Sequence, residues 1–288
     1  VDPLIGVDIS RYQGADGIAE ATLRRLRREA EAVFVINRAS IRLAFDPSFG
    51  PNRALATSLG MDFGAYHFLA HGSVRRQAET FYDSVMTNGG WKGVGAFLDV
   101  ESYTVGGRVV PSLCPRWLDV VSFVRRFREL APGHPIWCYT SEGYWTGGYV
   151  HNADGDALFD GLWQARWIDG DPVSDITLPP RPPRAGFGGW GTTPLWQWGA
   201  IRMQRGTIDG DAFYGTRDEF RAIAGRVRPP IPDRPNYALG YSAALTEIAA
   251  AVPAVIVPAG PPGPAYPAGV DAARADVLAA VERLRVKG

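Results

Sequence analysis

The stretch Gly95-Ala96-Phe97-Leu98-Asp99-Val100-Glu101-Ser102 decides how this chain is read. Small and apolar residues run directly into two carboxylates separated by one valine. In an extended strand successive side chains alternate faces, so Asp99 and Glu101 point one way and Val100 the other. From Val94 to Leu98 the run is apolar apart from its glycine, which is the pattern of a strand buried on both faces. Acids closing such a strand stand at its C-terminal end, where barrels and open α/β sheets keep their chemistry. Alone, the motif reads equally well as two solvated acids at a strand end.

Working outward, the same period recurs. Leu4 to Ile9 forms a short strand containing Asp8, and Thr22 to Ala32 an amphipathic basic helix. Val33 to Ile36, Phe63 to Leu69 and Pro135 to Tyr139 are further strands, separated by helices over Asp46 to Leu59, from Ser73 onward, and over Pro115 to Leu130. Five alternations of strand and helix predict a parallel α/β sheet or barrel. The rhythm then changes. Leu162 to Trp167, Leu195 to Trp198 and Gly206 to Phe213 read as strands, the first two joined by a Pro/Gly-rich loop, and Thr216 to Val227 as a final helix. The domain expectation is therefore a barrel over 1–227, a Pro/Gly-rich linker with a short helix over 228–268, and an amphipathic helix over 269–288. That last helix is too short to stand alone, which suggests attachment or self-association.

Composition narrows the classes. With 30 basic and 30 acidic residues, bulk charge favours neither nucleic acid nor an anionic membrane. No apolar run approaches the length of a membrane span. Val1-Asp2-Pro3 is no signal peptide, so the export route is expected to be absent from this sequence or removed before its first residue. Cys114 and Cys138 read as separate thiols, with a single bridge left open. The four histidines show no metal-ligand spacing, and neither metal nor cofactor is predicted. The basic residues are nearly all arginine, which suggests a GC-rich genome.

Asp8, Asp99, Glu101 and Asp209 all fall at strand ends, and closure of the strands into a barrel would gather them at one mouth. With these residues in place, Asp8-Ile9-Ser10-Arg11-Tyr12-Gln13, Tyr66-His67-Phe68, Leu98-Asp99-Val100-Glu101, Tyr139-Thr140-Ser141, Leu162-Trp163, Trp196-Gln197 and Ile208-Asp209 together resemble, in order, the glycoside hydrolase family 25 lysozymes (N-acetylmuramidases). The resemblance covers roughly Leu4 to Gly225. It implies an irregular TIM-like barrel of five β/α units followed by antiparallel strands, and hydrolysis of the β-1,4 bond between N-acetylmuramic acid and N-acetylglucosamine in peptidoglycan. It further implies Glu101 as general acid/base assisted by Asp99, Asp8 and Asp209 as the rest of the acidic floor, and Tyr66, Tyr139, Trp196 and Gln197 as substrate-binding residues. An ionised Asp99 would raise the Glu101 pKa. The implied setting is extracellular, at the cell wall or on a virion, with an endolysin of a phage or prophage as one source. The chain departs from the family pattern at Arg38-Ala39-Ser40, in place of a Lys-Ala-Thr segment, at Asp211 in place of an asparagine, and in the long loop from Pro172 to Thr193. A catalytically weak wall-binding or virion module on the same fold is the alternative.

Overall fold

A computed structural model describes residues 2–14, 16–151, 153–167, 185–203 and 207–224. The expected linker and tail helix, residues 228–288, and most of the loop between Pro172 and Thr193 lie outside the described residues.

The strands are β1 (Leu4–Ile9), β2 (Phe34–Ile41), β3 (Ala44–Phe45), β4 (Asp62–Phe68), β5 (Val94–Asp99), β6 (Thr104–Val105), β7 (Arg108–Val109), β8 (Ile136–Thr140), β9 (Gly161–Ala165), β10 (Leu195–Arg202) and β11 (Thr207–Phe213). The helices are α1 (Glu20–Glu29), α2 (Phe49–Ser58), α3 (Val74–Thr87), α4 (Trp117–Leu130), α5 (Glu142–Gly147), α6 (Gly155–Leu158) and α7 (Arg217–Ala222). Eight strands close in the order β1-β2-β4-β5-β8-β9-β10-β11, with β11 returning to β1 and β3 appended to β2. From β1 round to β10 every neighbouring pair is parallel. The antiparallel pairing expected after the fifth unit centres on β11, which runs against both β10 and β1.

Period-2 alternation assigns the interior. Phe34, Ile36, Tyr66, Phe97, Tyr139, Trp163, Leu195 and Phe213 meet inside, and Phe220 and Ile223 from the α7 region close the end opposite the mouth. Phe220 stacks on Phe34 with ring centroids 4.3 Å apart. Two glycines make room for these rings. A Cβ at Gly6 would collide with the Phe34 ring, and one at Gly64 would stand 2.8 Å from Phe97. The opposite strand faces pack on the helices. In α1 Leu23 and Leu26 are buried, while Arg24 pairs with Glu20 and Arg25 with Glu29 on the outer face. These are the i,i+4 spacings at which side chains meet on a helix. Helix α7 begins with a capping box between Thr216 and Glu219. Both cysteines are buried free thiols.

Candidate active site

Strand β5 is buried along its whole length. Its final residue, Asp99, points inward with Gly95 and Phe97, and Glu101 follows two residues beyond the strand. Val100 is buried and tied to the next unit, its N–H donating to the Tyr139 carbonyl at 2.9 Å and its carbonyl accepting from Thr140 Oγ1 at 2.8 Å. The backbone carrying the two acids is thereby pinned to β8. Asp8 on β1 is the register partner of Asp209 on β11, so these two acids enter the mouth side by side.

The four acids share one cleft of about 490 Å³, within the usual size of ligand pockets. Its walls include Tyr66, Tyr139, Trp163 and Gln197 from the barrel, and Arg11, Tyr12 and Arg38 from the β1 and β2 side. Tyr12 is 76% exposed at the rim. Trp196 does not line the cleft. It neighbours Gln197, so alternation turns it to the other face of β10, where its Nε1–H donates to the Arg166 carbonyl at 2.7 Å. The expectation that both Trp196 and Gln197 bind substrate conflicts with the strand period itself.

Gln197 is a hub. Its Nε2–H donates to Asp8 Oδ2 at 2.8 Å, while its Oε1 accepts from Tyr139 Oη–H and from Trp167 Nε1–H, each at 2.8 Å. Arg38 donates from Nε to Asp46 Oδ2 at 2.8 Å and lies over the Tyr12 ring, 5.1 Å from its centroid. Asp46 also accepts from the Ser48 backbone N–H and hydroxyl. A planar guanidinium can hold Asp46 and lie against a ring at once, which a lysine ammonium cannot reproduce.

Five carboxyls, with Asp211 as the fifth, are crowded here, and burial is the leading cause of every shift. Glu101 is raised to about 7 by burial and then by the charge of Asp209. Asp209 therefore presses on it as well as Asp99, whose own pKa Glu101 raises. Asp209 itself is raised to about 6 by burial. Asp99 is pushed well up by burial, then by Glu101 and Asp8, with Arg38 pulling the other way. Asp8 is pushed up by burial and then by Asp209. Acids that hold protons near neutrality beside acids that can lose them are what general acid–base chemistry needs. Among the described residues no group of His, Cys, Asp and Glu is arranged to hold a metal ion.

Three features went unread in the sequence. Trp163 reaches the cleft, Asp211 shares a face with Asp209 at a spacing of two, and β6–β7 forms a hairpin whose Thr104 and Val105 wall the cleft. Gly106 and Gly107 at its turn have φ of 57° and 74°, and two glycines between β-forming residues are a hairpin signal.

Paired carboxylates at the mouth of a closed α/β barrel are an arrangement that glycoside hydrolysis can use. The model of glycosyl hydrolases family 25 matches residues 7–206, and the chain belongs to that family. Solved structures agree on the fold. The bacterial lysozyme of Streptomyces coelicolor superposes with a TM-score of 0.58 at 22% identity, over 77% of this chain and 96% of that one. A family 25 glycosyl hydrolase from Bacillus anthracis gives 0.55 at 22%, over 77% and 93%. A muramidase from Acremonium alcalophilum gives 0.54 at 25% identity, over 77% and 98%. No curated protein matches the sequence.

Proposed function

We propose that this enzyme hydrolyses the β-1,4 bond between N-acetylmuramic acid and N-acetylglucosamine in peptidoglycan, with Glu101 as the general acid and base. The observation that carries the assignment is the half-buried Glu101, in a cleft of acids, with its pKa raised to about 7. Below that pH Glu101 holds the proton that the leaving glycosidic oxygen needs. Once ionised, it removes a proton from the water that completes hydrolysis. Asp99 Oδ1 is buried and receives no hydrogen bond. The acetamido N–H of a bound sugar would supply one, orienting the acetamido oxygen for attack on the anomeric carbon. Asp8 and Asp209 add negative charge facing the oxocarbenium-like transition state. Tyr66, Tyr139 and Trp163 form the apolar walls against which a sugar ring packs. The family and its lysozyme and muramidase neighbours support the substrate class.

The test is muropeptide analysis of purified peptidoglycan. Glu101→Gln should lower turnover by about 1000-fold, within the usual worth of a general acid. New reducing ends should be on muramic acid. Equal turnover by wild type and E101Q contradicts the assignment, and tight binding without cleavage by either would make the chain a wall-binding module.

A further inference from the structure

Asp211 is fully buried on β11, between β1 and β10, where its register partners are Gly6 and Gln197. Trp163 Nε1–H from β9 donates to its Oδ1 at 2.8 Å. Its Oδ2 receives no N–H or hydroxyl from any neighbour. The group within reach of its side chain is the carboxyl of Asp8. Two carboxylates cannot hydrogen bond to each other, because an ionised carboxyl only accepts; for the pair to bond, one must carry a proton. Each carboxyl accepts one N–H, Asp8 from Gln197 Nε2 and Asp211 from the Trp163 indole.

We propose that Asp211 is a positioning residue, a carboxylic acid that keeps its proton and donates it in a hydrogen bond to the Asp8 carboxylate, so that Asp8 is held between Asp211 and Gln197 at the wall of the cleft. Among the described residues its surroundings supply no cation: Asp8 on β1 and Asp209 on its own strand are the charged groups acting on it, and β9 and β10 place the neutral Trp163 and Gln197 beside it. Asp8 reaches the cleft, whereas Asp211 is fully buried behind it, so a charge is harder to hold at Asp211 and the shared proton belongs there. An asparagine would reproduce this role, donating N–H to Asp8 while its Oδ1 accepts from Trp163. A leucine would fill the space and leave Asp8 and Trp163 unpaired.

The catalytic part of the inference rests on the glycosidase reading above, so the experiment has two arms. In the infrared difference spectrum of substrate-free wild type minus Asp211→Asn at pH 7, a carboxylic C=O stretch should appear, with no matching loss of carboxylate bands. In turnover of peptidoglycan, Asp211→Leu should lose about 10-fold or more in kcat with KM little changed, the worth of one hydrogen bond to a charged group. Asp211→Asn should restore that loss. A difference spectrum showing only carboxylate bands overturns the protonation, and D211N as damaged as D211L overturns the donor role. Should the wild type cut no peptidoglycan, the infrared arm still decides where the proton sits. It also stands if D211L does not fold.

Discussion

Two buried polar networks lie on opposite faces of the barrel wall, and they are built on opposite terms. Outside the barrel, between β2, β4 and α3, Ser40, His67 and Gln77 are all buried. Gln77 Nε2–H donates to the carbonyls of Ala70 and Gly72, and its Oε1 accepts from the Ala70 N–H and from His67. His67 must therefore carry its proton on Nε2, leaving Nδ1 to accept from the Ser40 hydroxyl at 2.8 Å. Every group is matched, and burial drives the His67 pKa down to about 3, so the network is neutral across ordinary pH. Inside the barrel β1, β5 and β11 carry the acid cluster, with Arg38 of β2 beside it, and there Asp99 Oδ1 and Arg38 Nη2 are left without partners. The satisfied network fixes β2 and β4 against α3. The unsatisfied one holds polar groups ready for a substrate. A scaffold closes its hydrogen bonds, and an active site keeps some open.

The comparison breaks most visibly at Gln77. Gln77→Leu strands the Ala70 N–H and His67 Nε2–H in the interior, and unfolding free energy should drop by about 3 kcal/mol or more. Chemical denaturation measures it; a loss below about 1 kcal/mol would mean that the network is not the rigid half of the pair. On the other face, Gln197→Leu removes the hub that holds Asp8, Tyr139 and Trp167. Misplacement of catalytic groups is costly, so kcat should drop by about 30-fold, with a smaller effect on stability than Gln77→Leu. A larger effect on stability than on kcat would erase the distinction between the two networks.

The smallest expected effect is a pH-dependent difference in stability. Glu101 titrates near 7 in the folded chain, above its ordinary 4.5. The folded state therefore binds its proton more tightly, and the stability that goes with it is complete below about pH 4 and lost as pH rises through about 7. Glu101→Gln cannot ionise. It should match wild type near pH 5 and exceed it at pH 8 by about 1 kcal/mol, discounted for the partial exposure of the side chain. Thermal melts at the two pH values read this directly, and a parallel offset at both would mean that Glu101 is not raised. His67 works with the opposite sign. Its folded pKa is depressed, so its contribution is lost as pH falls below about 6.5.

Much of the barrel was legible because its strands obey one period. Counting by two from Phe97 places Asp99 and Glu101 on one face, and the same count from Asp209 reaches Asp211. The count also argues against Trp196, which cannot share a face with Gln197. The irregular positions were harder to read. Pairing of β2 with β4 shifts register between Arg38 and Ser40, so Arg38 faces the cleft while Ser40 faces His67 on the other side. A one-residue irregularity of this kind leaves little trace in hydropathy. The β6–β7 hairpin is two residues per strand, too short for a periodic signal, and only Gly106-Gly107 announced it. The charge relation at Glu101 depended on closure: Asp209 lies 108 positions away in sequence and reaches the site because β11 returns to β1.

The central claim is that a half-buried acid with a pKa near 7 protonates the glycosidic oxygen. Its most direct test is the pH dependence of kcat/KM for wild type on purified peptidoglycan, read as new reducing ends. A rate that is high in mild acid and falls tenfold per pH unit above about 7 is predicted, because the free enzyme must hold the Glu101 proton. A rate still rising through pH 8, or an alkaline limb near the ordinary carboxylate value, would contradict it.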